Sequence, residues 1–81
     1  MKLLVVEDDA DLAAALASAL RAQKMIVDVA ASLRHASELV FAASYDVLVV
    51  DRGLPDGDGL SLVAQVRAAE MVMPVLVLTA E

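Results

Sequence analysis

Apolar positions along the chain fall into two kinds of block. Four short, largely apolar runs, Lys2 to Val6, Met25 to Ala30, Val47 to Val50 and Val75 to Leu78, are separated by longer stretches in which apolar residues recur every three or four positions. A continuous apolar run of this length predicts a strand covered on both faces, since each side of a pleated strand must then be dry. The intervening stretches predict helices. The first carries Leu12, Leu16 and Leu20 in a narrow stripe through an alanine-rich segment, with Asp9 or Asp11 at its start and Arg21 and Lys24 near its end, where their charges suit the helix dipole. The second runs from about Leu33 to Ala43 behind Ser32 as N-cap, with Ala36, Leu39, Val40 and Ala43 inward. The third runs from about Leu60 to Ala69, with Leu62, Val63 and Val66 inward and Gln65 and Arg67 toward water. Asp28 interrupts the second run, which predicts a strand nearer the sheet edge than the first.

The resulting order, βαβαβαβ, requires parallel strands joined by right-handed crossovers. The expectation is a single α/β domain: an open parallel sheet with helices on both faces. The last apolar run is followed only by Thr79, Ala80 and Glu81, with no helix to cover it and a bare outer edge. The pattern therefore reads as cut short after its fourth strand. Self-association through the exposed strand Val75 to Leu78 is one way to cover that edge.

Composition narrows the function. A formal net charge of −6, one Tyr, one Phe and no Trp argue against nucleic-acid binding by this segment, because phosphates repel such a surface and bases find no stacking platform. The absence of cysteine excludes disulfides and thiolate metal sites. No apolar run approaches the length a membrane helix needs, and Glu7-Asp8-Asp9 ends the first run too early for a signal peptide. A cytoplasmic protein is expected.

Three strand ends carry chemistry: Glu7-Asp8 after the first, Asp51 after the third and Thr79 after the fourth. The carboxyl edge of a parallel sheet is where open α/β folds bind ligands. If the first, third and fourth strands are neighbours, these groups converge, and carboxylates so close cannot all ionise cheaply without a cation. All-oxygen donors suit Mg²⁺, and a carboxylate beside Mg²⁺ can act as a nucleophile toward phosphorus. Thr79 adds a hydroxyl able to donate to a phosphoryl oxygen.

Val5-Val6-Glu7-Asp8-Asp9, Tyr45 through Asp51, Leu54-Pro55-Asp56-Gly57-Asp58-Gly59 and Pro74 through Ala80 together resemble the receiver domain of two-component response regulators. The resemblance spans the whole chain but only the first two-thirds of a typical receiver, so residues 1–81 are expected to be that part of one domain. It implies a flavodoxin-like strand order of 2-1-3-4, without the fifth strand and last helices. It further implies that Asp51 is the phosphoacceptor, served by a phosphohistidine on a sensor histidine kinase. Asp8 is then the direct Mg²⁺ ligand, Glu7 its acidic neighbour acting through water, Gly53 the backbone-carbonyl ligand, and Thr79 the hydroxyl contact to the phosphoryl group. Ala80 matches the small residue that leaves the site accessible. The Lys that ends the family's fifth strand falls beyond Glu81. Such a domain modifies itself without turning over a separate substrate, and the family often joins it to a DNA-binding domain, which implies transcription regulation by a parent protein.

Several residues carry simpler readings. Asp56-Gly57-Asp58-Gly59 lacks the register and closing Glu of a calcium loop and reads as a turn, with Gly57 and Gly59 allowing unusual backbone angles. His35 reads as an exposed surface residue, and Met71 and Met73 as fillers of core gaps or a loop. An Mg²⁺-dependent phosphatase using Asp51 is the less favoured alternative, because Gly53 stands where such enzymes place a second acid.

Overall fold

The computed structural model describes residues 1–78; Thr79, Ala80 and Glu81 lie outside the described residues. The elements, in chain order, are β1 (Lys2–Val6), α1 (Ala10–Ala22), β2 (Ile26–Ala30), α2 (Leu33–Ala42), β3 (Val47–Asp51), β4 (Gly53–Leu54), β5 (Gly57–Asp58), α3 (Leu60–Ala68) and β6 (Val75–Leu78). The main sheet has the order β2-β1-β3-β6, all parallel. The fourth strand of the sequence pattern is thus β6. The turn after Asp51 contains a further element the pattern did not announce, a two-residue antiparallel hairpin formed by β4 and β5. Its strands are too short for any periodicity to register.

Side-chain alternation divides the core between the two sheet faces. Leu4, Val6, Leu48 and Val50 pack with Ala36 and Val40 of α2 and Leu62 and Val66 of α3. Leu3, Val5, Val27 and Val49 face the other way, onto Ala17 of α1. Helices therefore cover both faces, as an all-parallel sheet requires. The inward residues expected for α2 hold, with Ala36 and Val40 buried and Leu39 and Ala43 packed beside them. His35 is exposed, and Met71 and Met73 pack against the core margin. Asp28 does lie on an edge strand, β2.

The inward face of α1 requires a correction. Its centre is formed by Ala13 and Ala17, while Leu16 and Leu20 flank the contact and Leu12 is 44% exposed. Small side chains at the line of closest approach let the helix sit low on the sheet, so the larger leucines are displaced to its flanks. The β6 strand is also drier in pattern than in place: Leu76 is 58% exposed. It borders the sheet, and α1 lies over the β2–β1 side of that face.

At the amino end of the sheet, Lys2 is held by several groups. Its backbone N–H donates to Asp46 Oδ2 at 2.7 Å, its Nζ lies 3.9 Å from Asp28 Oδ2, and its ammonium stands 5.2 Å above the Tyr45 ring. The buried Tyr45 hydroxyl donates to Asp28 Oδ2 at 2.7 Å. Burial first, and then the bond to and charge of Asp28, push the Tyr45 phenol up to about 12. A raised folded-state pKa stabilises the fold fully below the ordinary tyrosine value, and that contribution is lost as pH rises through the folded one. Because Tyr45 is the only tyrosine and there is no tryptophan, alkaline absorbance titration reads this group alone. The phenolate is expected to appear with a midpoint near 12 rather than at the ordinary value of about 10. An ordinary midpoint in the folded protein would mean that Tyr45 is not buried and bonded to Asp28 as described.

Candidate functional site

The parallel register brings two acids together at the carboxyl edge. Val6 pairs with Val50, so the next residues, Glu7 and Asp51, stand side by side at the ends of adjacent central strands. Glu7 N–H donates to Ala30 O at 2.9 Å and extends the β1–β2 ladder by one residue. Asp8 follows where the chain leaves the sheet. One carboxylate oxygen from each of Glu7, Asp8 and Asp51 lies within 4.8 Å of the others. The three differ in environment: Glu7 is buried, Asp51 half-buried and Asp8 exposed.

Burial is the largest influence on Glu7 and pushes its carboxyl above the usual range; the negative charges of Asp51 and Asp8 push the same way, against a bond from Asp9 N–H to Glu7 Oε2 at 3.0 Å. A buried acid beside two others is a site that lacks positive charge, and an oxygen-ligated divalent cation fits this donor set. The sign of the linkage is definite. Glu7 contributes stability below the ordinary glutamate pKa, and that contribution is lost as pH rises through its raised folded-state value. Glu7→Gln keeps an oxygen for Asp9 N–H and carries no charge. In chelator-treated protein it is expected to raise the melting temperature near pH 7, with the gain shrinking toward about pH 4. Thermal melts across that range check it, and a gain independent of pH contradicts it.

The backbone around the cluster is fixed by helix caps. Asp9 caps α1, accepting from Asp11 N and Leu12 N through Oδ1, each at 3.1 Å. Ser32 caps α2 as expected, accepting from His35 N at 3.1 Å. Asp58 accepts from Leu60 N at 2.9 Å at the start of α3 and pairs with Arg52, whose Nη2 stands 2.9 Å from Asp58 Oδ2. That guanidinium, and then Leu60 N–H, hold the Asp58 carboxyl below the usual range.

Gly53 opens the hairpin two residues beyond Asp51 and is exposed. Gly57 has φ +147, the unusual angle expected of it, and a Cβ there would stand 2.8 Å from Leu33 Cδ1. Gly59 is different: its φ of −55 is ordinary, and its need for glycine comes from close approach to the backbone of Asp51. Thr79, the remaining expected site residue, lies outside the described residues, although Asp51 pairs with Leu78 in the sheet register.

Sequence reading missed the roles of Arg52, Asp56 and Asp58. Asp58 carried a usable signal, an acid two residues before a helix start. Asp56 carried none locally, since its hydrogen-bond partners are the amides of Leu33 and Arg34, more than twenty residues earlier. Among the described residues no helix is long and apolar enough to cross a membrane.

Comparison with known proteins agrees with this fold. The chain is 42% identical over 80 residues to the transcriptional regulatory protein PmrA of Pectobacterium parmentieri, covering 99% of this chain and 36% of that one. It is 44% identical over 80 residues to the virulence transcriptional regulatory protein PhoP of Salmonella typhimurium, with the same coverage. Among solved structures, the non-phosphorylated HemR receiver domain from Leptospira biflexa superimposes with a TM-score of 0.92 at 35% identity, over 99% of this chain and 64% of that one. The response regulator TrrA from Thermotoga maritima, in complex with Mg²⁺ and beryllium fluoride, gives 0.93 at 25% identity, over 99% and 70%. The chain thus spans about a third of the curated relatives and about two-thirds of the receiver structures it matches. The sequence profile of the response regulator receiver domain matches residues 3–81, nearly the full length, and the chain belongs to that family.

Proposed function

We propose that Asp51 accepts a phosphoryl group from a phosphohistidine of a sensor histidine kinase, with Mg²⁺ held at the same edge, and that residues 1–81 form the first two-thirds of a receiver in a longer transcriptional regulator. The observation that carries this reading is the Glu7, Asp8 and Asp51 cluster at the ends of neighbouring central strands. The regulators PmrA and PhoP among the relatives support the wider role, and the Mg²⁺–beryllium fluoride complex of TrrA supports the ligand class.

In the transfer, an Asp51 carboxylate oxygen forms a bond to phosphorus while the histidine N–P bond breaks. The imidazole nitrogen keeps the electron pair and the product is an acyl phosphate on Asp51. Asp8, the most exposed of the three, is the direct metal ligand, with Asp51 and the Gly53 carbonyl completing the protein's share. Glu7, buried and bonded to Asp9 N–H, fixes the turn that presents Asp8, and would reach the metal through water. Mg²⁺ supplies the positive charge that lets these carboxylates and an incoming phosphoryl group share the edge. Thr79 donates its hydroxyl to a phosphoryl oxygen. The new charge then biases a surface of the parent protein that reports the modification.

Incubation with a small acyl phosphate and Mg²⁺, followed by intact-mass measurement, tests the reading. One phosphoryl increment is expected, absent when the metal is chelated. Steady hydrolysis of a phosphate ester without a labelled protein would favour the phosphatase alternative instead.

A further inference from the structure

The hairpin that follows Asp51 is tied down at both ends. At its base, Gly59 N–H donates to Arg52 O at 3.0 Å, and Gly59 packs against the backbone of Asp51. At its tip, between β4 and β5, Asp56 reaches across to α2: Oδ1 accepts from Leu33 N at 2.8 Å and Oδ2 from Arg34 N at 3.0 Å. Beside this, Gly57 lies against Leu33, and Leu54 is buried in the core.

The first amides of a helix have no partner within it. Here each of the first three finds one, Leu33 and Arg34 on Asp56 and His35 on Ser32. The two caps differ in what they connect. Ser32 is local to α2. Asp56 joins the helix to the loop that carries Asp51 and Gly53. The two amides, with Leu33 N–H first, hold its carboxyl below the usual range.

We propose that Asp56 is a positioning residue for the metal site. By anchoring the hairpin tip to the start of α2, it fixes the direction of the chain through Gly53 and with it the carbonyl offered to Mg²⁺. The inference rests on the proposed Mg²⁺ site. Its distinguishing prediction is that the two caps of one helix start are not equivalent. Loss of either weakens α2, but only loss of Asp56 loosens the metal site.

The test is a Mg²⁺ titration of the protein, followed by the backbone amide resonances near Asp8 and Asp51, in wild type, Asp56→Ala, Asp56→Asn and Ser32→Ala. Asp56→Ala is expected to weaken Mg²⁺ binding by roughly tenfold, the lower end for loss of a group supporting a metal ligand. Asp56→Asn retains one acceptor oxygen and is expected to fall between it and wild type; it also carries the comparison if the alanine variant does not fold. Ser32→Ala is expected to lower the melting temperature without changing Mg²⁺ affinity. Equal affinities for Asp56→Ala, or Asp56→Asn in its place, and Ser32→Ala overturn the inference while leaving the metal site standing. No Mg²⁺-dependent shift in the wild type overturns both.

Discussion

Asp51→Ala is expected to remove all phosphoryl label from the protein while leaving it at least as well folded as the wild type. The loss is complete because neither neighbouring acid can take over. Glu7 is buried and engaged by Asp9 N–H, so it is poorly accessible to a phosphodonor. Asp8 lies past the strand end and, in the proposed site, is committed to the metal. Stability should hold because Asp51 is one of three like charges within 4.8 Å, and removing it relieves Glu7 of one of the influences that raise its pKa. The paired measurements are intact mass after phosphodonor treatment and a thermal melt in chelator. Undiminished label on the variant would move the phosphoacceptor elsewhere; a collapsed melt would mean that Asp51 is structural.

Gly59→Ala should have the largest effect on the fold itself. A Cβ at this position would meet the carbonyl oxygen of Asp51, and would stand 2.6 Å from Val50 Cγ1 and 3.0 Å from the Asp51 carbonyl carbon. Two of those atoms are strand backbone, which cannot swing aside as the end of a side chain can. The φ of −55 suits alanine, so the cost is steric and not conformational. We expect a loss of about 3 kcal/mol or more by denaturant unfolding, at the upper end for overpacking. Any folded remainder should accept label poorly, because relief of the clash displaces Asp51. Gly53→Ala is the natural comparison: a Cβ there meets nothing within 4 Å, and stability should be unchanged within about 0.5 kcal/mol. If the two substitutions cost the same, Gly59 does not pack on Asp51 as described.

The parallel sheet was legible because β1 and β3 are apolar on both faces, a pattern only doubly covered strands need. The site was legible for the same reason: Glu7 and Asp51 are the first charges after those runs, and register does the rest. The face of α1 was not. Counting leucines assigns the contact to the bulkiest residues, whereas the distance between helix and sheet selects Ala13 and Ala17, a property of two elements together. Asp56 was obscure for a related cause, since a cap borrowed from another loop leaves no mark beside the helix it serves. Gly59 was assigned to the right residue type through the wrong physics, angle in place of space.

Every helix among the described residues starts at the same edge of the sheet, because each crossover returns from a strand's carboxyl end. The acids that cap those starts, Asp9, Asp56 and Asp58, must therefore stand on the same edge as Glu7, Asp8 and Asp51. For anyone recolouring the protein's surface charge, the consequence is a map of tolerance. Glu38 and Glu70, exposed and away from that edge, are open to replacement by lysine. At the carboxyl rim, replacing Asp9, Asp56 or Asp58 removes a cap and replacing Glu7, Asp8 or Asp51 removes a proposed ligand, so the two halves of the molecule have very different freedom to change sign.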